Sequence, residues 1–192
     1  MPQTNNFLYK SLNNQQLQAV KHVYGPLLVV AGAGSGKTKA LTHRIANLIE
    51  GNSIDPYNIL AVTFTNKAAK EMKARLEVLL AQELAFNQFG QPWTTLKEID
   101  QNQLRTNVHQ ERLQNLWIGT FHSLSLKILR KNFDKVGLKQ NFVIIDTDDQ
   151  LKLIKKICEN ENIDTKDISP KFFSNAIDSL KNKLYKYIDL FL

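Results

Sequence analysis

An α/β fold built on a parallel sheet is predicted by three features of this sequence. Short apolar runs alternate with longer amphipathic stretches in the order strand, helix, strand, helix. The runs at residues 27–30 and 59–64 are strand-sized and almost wholly apolar, as expected of strands covered on both faces. A glycine-rich loop, residues 31–36, joins the first run directly to the amphipathic stretch behind it.

Taken in order, residues 1–11 are polar and read as a loose arm. Residues 13–22 read as a short helix: Asn13 can cap it, and Gln16 three positions on completes the capping-box spacing. Gly25-Pro26 breaks the chain before the first strand. Behind the loop, Leu41, Ile45, Leu48 and Ile49 form one helical stripe, and Gly51-Asn52 offers a left-handed cap. After the second strand Asn66 can cap a helix that buries Ala69, Met72, Leu76, Leu79 and Leu80.

Residues 82–115 interrupt the rhythm. They are rich in Gln and Asn with scattered apolar positions, and read as a partly helical insertion. Residues 117–120 return to strand, and 123–136 to a helix ended by Gly137. Residues 141–145 are another strand candidate. Asp148 can cap a helix with Leu151, Ile154, Ile157 and Cys158 inward. Pro170 can open a last helix carrying Phe173, Ile177, Leu180 and Leu184. No internal repeat is evident.

The 192 residues suffice for one domain, or one and part of a second, and 43% hydrophobic content predicts a packed core. No apolar run reaches membrane-spanning length, and the N-terminus lacks the basic-then-apolar pattern of a secretory signal, so a cytoplasmic setting is expected with no membrane partner. The one cysteine excludes an intrachain disulfide and a cysteine-based zinc site. A net charge of +7 favours polyanionic partners.

The strongest chemical signal is Ala31-Gly32-Ala33-Gly34-Ser35-Gly36-Lys37-Thr38. Small residues let successive backbone N–H groups curl round a phosphate, and the helix N-terminus adds partial positive charge. Lys37 is then placed for the β- and γ-phosphates and the Thr38 hydroxyl for Mg²⁺. Ala31 stands where the strict pattern has glycine. A glycine turn with a surface lysine is the bland alternative, and the strand–loop–helix context argues against it.

Five separated blocks carry a family resemblance. They are Leu12-Asn13-Asn14-Gln15-Gln16, the loop itself with Gly25-Pro26-Leu27-Leu28 before it and Thr42-His43-Arg44-Ile45 continuing it, the stretch Ile59 to Ala69 containing Thr63-Phe64-Thr65-Asn66-Lys67, then Gly119-Thr120-Phe121-His122-Ser123, and the segment 141–150. In this order they resemble the N-terminal portion of the UvrD/Rep/PcrA-type superfamily 1 DNA helicases. The resemblance implies an incomplete RecA-like P-loop sheet over residues 1–118 and a partial, mainly helical accessory domain over 119–192. It implies ATP and Mg²⁺ as cofactors, and single-stranded DNA and duplex junctions as partners. Gln16 is implied to hydrogen-bond the adenine, and Ala33, Gly34, Ser35, Gly36, Lys37 and Thr38 to hold the phosphates. Lys39 stands where relatives often stack an arginine on the base; a lysine has no planar face, so stacking is weaker here. Thr63, Phe64, Thr65, Asn66, Thr120 and His122 are implied DNA contacts. Lys67, Lys70, Lys73 and Arg75 offer a basic face beside them or a plain solvated helix surface.

The family's water-activating Asp-Glu pair has no counterpart here, because the sequence contains no Asp-Glu-x-Gln or Asp-Glu-x-Asp. Val143-Ile144-Ile145-Asp146 imitates its strand-then-Asp form, but no glutamate follows and the next helix needs a cap. The tail from Tyr185 to Leu192 departs from the family. A fragment or truncated product is therefore expected, marginally stable and prone to aggregate, binding ATP and DNA without useful hydrolysis. Two rival classes stay open: a non-catalytic nucleotide- or DNA-binding remnant, and an unrelated P-loop enzyme such as a kinase.

Overall fold

A strand exists only where a neighbour completes its hydrogen-bond ladder, and two of the expected strands find one. Leu60–Thr63 (β1) and Trp117–Thr120 (β2) pair in parallel, with Leu60 opposite Trp117 and Thr63 opposite Thr120. The structure, a computed structural model, describes residues 7–165 and 168–183. It divides into two compact units, Met1–Asn132 and Phe133–Leu192.

The other two runs are corrected. Residues 27–30 and 141–145 belong to no sheet among the described residues. Relative exposure alternates along the first run: Leu27 42%, Leu28 87%, Val29 49% and Val30 86%. That period of two is the alternation of a strand, without a strand's partner. Val143, Ile144 and Ile145 are likewise exposed. The described residues are mostly helical with a small two-stranded parallel sheet, consistent with a partial α/β domain.

Parallel strands need a long crossover, and the first unit supplies one. Asn66–Phe89 (α3) leaves β1 and runs for 24 residues. Its cap is Thr65, not Asn66: Thr65 has extended backbone and its hydroxyl accepts from the Ala68 N–H at 3.1 Å, while Asn66 is already helical. Ala69, Met72, Leu76, Leu79 and Leu80 are buried as expected. A cap contributes about 1 kcal/mol, and one fully buried leucine about 1.5–3 kcal/mol, so this stripe rather than the cap holds the helix.

The supposed insertion is part of the core. Glu98–Asn107 (α4) continues into a π-helical turn, Val108–Leu113. Val108, Leu113 and Leu116 pack in the main cluster with Ile45, Ile49, Ala61 and Leu76, while Leu104 joins Leu96 and Ala85 in a smaller one. Polar residues outnumber apolar ones here, but the few apolar ones recur on one helical face. A second π turn, Asn47–Gly51, ends the helix Lys37–Ala46 (α2). It replaces the expected left-handed cap at Gly51-Asn52; the positive φ falls on Ser53 instead. Arg112 on one π turn bonds Glu50 on the other at 2.8 Å.

Residues 7–11 are clamped rather than loose. Leu8 is buried in the main core. The Leu8 carbonyl accepts from His43 Nδ1 at 2.6 Å, while the Phe7 and Leu8 N–H groups face the buried Glu83 carboxylate. The Tyr9 hydroxyl donates to Asn47, and the Phe7 ring stacks on Phe86. Residues 1–6 lie outside the described residues. Asn14–Lys21 (α1) follows, with its Asn13–Gln16 capping box present as expected. Phe121–Lys131 (α5) leaves β2 and stops earlier than expected, at Lys131. A Cβ at position 119 would lie 2.5 Å from Ser123 Oγ, so Gly119 is what lets α5 turn back so closely on β2.

In the second unit, a 3-10 turn at Asp134–Val136 ends on Gly137 with φ 70°. Thr147–Asn160 (α6) and Pro170–Asn182 (α7) follow, with Ile154, Cys158 and Ser174 buried. Asp146, not Asp148, caps α6, accepting from Asp149 N–H at 2.8 Å. Pro170 opens α7 at its first position behind the cap Ser169. Leu184 and the tail 185–192 lie outside the described residues. Among the described residues no helix is long and apolar enough to cross a membrane.

Burial pushes His43 below its ordinary pKa; the hydrogen bond to the Leu8 carbonyl opposes it, and the nearby Lys39 charge lowers it a little further. Burial, then the Glu50 carboxylate, raises Glu83. The signs are opposite in effect. His43 contributes stability above its unfolded pKa that is lost as pH falls through the region just below about 6.5. Glu83 contributes stability at acid pH that is lost as pH rises above the ordinary carboxylate range. The difference in melting temperature between the native chain and His43→Asn is therefore expected to shrink as pH falls from 7 to 5. Thermal melts across that range check it, and a constant difference counts against a neutral, buried His43.

Candidate nucleotide and nucleic-acid sites

The glycine-rich loop turns into α2 through two left-handed positions, Gly34 at φ 75° and Gly36 at φ 84°. At Gly36 a side chain is also excluded by contact, since a Cβ would lie 2.6 Å from Gln16 Nε2. Gly36 is the N-cap of α2 and makes no side-chain capping bond. The first-turn N–H groups of α2, from Lys37 to Lys39, thus have no acceptor within the helix, and the helix dipole adds its positive end there.

Lys37 folds back over this turn. Its ammonium donates to the carbonyls of Ala31 at 2.8 Å and Gly32 at 2.6 Å. Ser35 Oγ donates to the Gly32 carbonyl at 2.7 Å and closes the turn from the other side. An ammonium has three donors, so one remains for a ligand. The loop is curled around its own lysine, with a positive charge held where an anion would sit.

Beside the loop is a cavity of about 440 Å³, within the range of small-molecule sites. Gln16, Ser35, Gly36 and Lys37 line it together, with His22 and the apolar residues 27–30 on its other walls. Gln16 joins helix and loop. Its Oε1 accepts from Asn13 N–H at 3.2 Å, and its Nε2 donates to the Ser35 carbonyl at 3.1 Å. One N–H and one lone pair of that amide stay available. Ala33, Gly34 and Thr38 are exposed on the turn and off the cavity wall. Lys39 is turned away: it donates to the Ser11 carbonyl and lines a groove between α2 and α3.

The second group of expected residues gathers where β1 and β2 end. Their register sets Thr63 beside Thr120, and each strand then enters a helix N-terminus. Thr63 and Thr120 point inward and are buried. The Thr63 hydroxyl donates to the Thr65 carbonyl at 3.0 Å; the Thr120 hydroxyl donates to Ser123 Oγ at 3.1 Å and accepts from Ser123 N–H at 3.2 Å. Their geometry makes them builders of the two turns rather than surface contacts. Phe64 is the opposite, 92% exposed, with Asn66 and His122 also exposed. On the basic face, Lys67 and Lys70 are exposed, whereas Arg75 is paired with Glu71.

One residue here was not foreseen. Phe121 is 59% exposed, and its ring centroid lies 6.2 Å from that of Phe64 at 53°. The signal was available: Thr-Phe ends both strands, at 63–64 and 120–121, and a parallel register that aligns the threonines also brings the rings together. Asp146 has no place in a hydrolytic site, because the run before it is not a strand and its carboxylate caps α6.

Comparison with known proteins fits these features. Residues 12–190 match the family model of the UvrD/REP helicase N-terminal domain. The chain is 45% identical over 179 residues to the ATP-dependent DNA helicase PcrA of Staphylococcus epidermidis, an alignment covering 93% of this chain and 21% of that protein. It is 44% identical to the ATP-dependent DNA helicase PcrA of Staphylococcus aureus, covering 93% and 20% respectively. The chain thus spans about a fifth of the length of these relatives. A match across the loop, the two strand ends and the intervening helices leaves no room for an unrelated P-loop enzyme: the chain belongs to the UvrD/REP helicase family, in the region of its N-terminal domain.

Proposed function

We propose that this chain binds Mg·ATP at the turn around Lys37 and single-stranded DNA at the ends of β1 and β2. Within a whole helicase it would be the nucleotide-gripping part of an ATP-driven, 3′-to-5′ translocating motor. The observation that carries the reading is the uncapped N-terminus of α2, with the Lys37 ammonium held over the loop carbonyls. Backbone N–H groups of residues 34–38 would wrap the phosphates. Lys37 would exchange its carbonyl partners for phosphate oxygens, and the exposed Thr38 hydroxyl would hold Mg²⁺. Gln16 has a free donor and a free acceptor on one planar amide, which matches the N6 and N7 edge of adenine. A RecA-like arrangement for residues 1–118, with an accessory domain following, belongs to the same reading.

On the DNA face, Phe64 supplies a stacking platform. Asn66 and His122 supply exposed polar groups, and the starts of α3 and α5 supply N–H groups for phosphates. Thr63, Thr65 and Thr120 would act by setting the turns. Hydrolysis needs a carboxylate beside the γ-phosphate, and the sequence contains no Asp-Glu-x-Gln. The chain on its own is therefore proposed to bind without rapid turnover.

Lys37→Ala removes a charge-assisted contact and is expected to weaken Mg·ATP binding at least about tenfold, read by titration calorimetry. Equal affinity in the variant would reject the site. Phe64→Ala is expected to weaken binding of a fluorescent oligo-dT by about fivefold or more while leaving Mg·ATP affinity unchanged. Anisotropy titrations check this, and an unaltered DNA affinity would remove Phe64 from the interface.

A further inference from the structure

The nucleotide reading leaves unexplained a row of side chains on α2 and the first residue of the π turn behind it. Lys39, His43, Arg44 and Asn47 each bond a backbone carbonyl in the segment that carries Gln16. Lys39 reaches Ser11, and His43 reaches Leu8. Asn47 Nδ2 donates to the Val20 carbonyl at 3.1 Å. Arg44 Nη1 donates to the Ala19 carbonyl at 2.6 Å and also to the His22 carbonyl. The last carbonyls of a helix have no acceptor role inside it, so Arg44 and Asn47 cap the C-terminal end of α1 from a neighbouring helix.

This matters because α1 has eight residues, too few to be stable alone. Its N-terminal end carries Gln16 against the Ser35 carbonyl, and its C-terminal end is gripped by Arg44. Both ends are thereby referred to the same body, the phosphate loop and the helix that grows from it. A bidentate contact to a base edge tolerates little displacement, whereas the N–H groups of residues 34–38 offered to phosphates belong to the loop and α2 and not to α1. Both carbonyls are served from one nitrogen, Nη1, at the far end of the Arg44 side chain, one bond further from the backbone than a lysine ammonium reaches.

We propose that Arg44 is a positioning residue for base selection: by holding the C-terminal carbonyls of α1, it keeps the Gln16 amide in register with the phosphate loop. The inference rests on the nucleotide reading above and extends it from phosphate capture to discrimination of the base. The test compares the full chain with Arg44→Gln, Arg44→Lys and Gln16→Ala. Affinities are measured for N-methylanthraniloyl-ATP and -GTP, and for inorganic tripolyphosphate by competition.

The unaltered chain is expected to prefer the adenine analogue roughly tenfold. Arg44→Lys should reduce that preference to about twofold or less while leaving tripolyphosphate affinity within about twofold. In the Gln16→Ala background the Arg44 change should have no further effect on the preference. If Arg44→Gln does not fold, judged by its circular dichroism, Arg44→Lys decides alone. A preference that survives Arg44→Lys overturns the inference. So does a parallel loss of tripolyphosphate binding, which marks a merely structural role. A chain that binds tripolyphosphate without preferring adenine also overturns it, while leaving the phosphate loop intact. A chain that binds no tripolyphosphate rejects the nucleotide reading itself.

Discussion

Lys37–Ala46 has to satisfy three sets of neighbours at once. Its N-terminus presents unpaired N–H groups to the turn at Gly34–Gly36, and Lys37 leans back over the carbonyls of that turn. One flank donates to carbonyls of residues 8–22 through Lys39, His43 and Arg44. Ile45 and Ala46 close onto α3 and the π turn at 108–113 in the main core. The chemistry at one end of the helix is therefore fixed in space by burial along its side. An eight-residue α1 and a 3-10 turn at Phe7–Tyr9 gain their order from this helix rather than from their own propensities.

The second site follows from a smaller constraint. Two parallel strands of four residues each leave room for one inward and one outward residue at their ends. With Thr63 opposite Thr120 on the inside, the residue that follows each strand is turned outward. Both are phenylalanine, and no described packing covers Phe64. An exposed ring beside two helix N-termini brings together an apolar face and amide donors, the combination that a stacked base and its phosphate use.

Local features were legible in the sequence wherever a short-range rule decides the outcome. The Asn13–Gln16 capping box, the Ala69–Leu80 stripe, the Pro170 start and the two paired strands all follow from spacing alone. The loop was legible for the same reason. What could not be read depends on distant partners. Residues 27–30 and 143–145 have strand composition, yet a ladder needs a neighbour that composition does not reveal. The stretch 82–115 looked like an insertion because polar residues dominate it, although Leu104, Val108 and Leu113 are enough to anchor it. The bonds of Arg44 and Lys39 do not follow from local spacing, because their carbonyl partners lie 22 to 28 positions away. Capping residues were displaced by one or two positions, from Asn66 to Thr65 and from Asp148 to Asp146, because a cap requires extended backbone as well as a suitable side chain.

The central claim is that the amides at the start of α2 wrap a polyphosphate. Amide chemical shifts of the isotope-labelled chain, recorded while Mg·ATP is added, test it most directly. The account requires the Gly34, Gly36, Lys37 and Thr38 N–H resonances to move together and to saturate, with Gln16 following. If those four stay in place while the nucleotide binds elsewhere, or if no resonance moves at millimolar nucleotide, the account is contradicted.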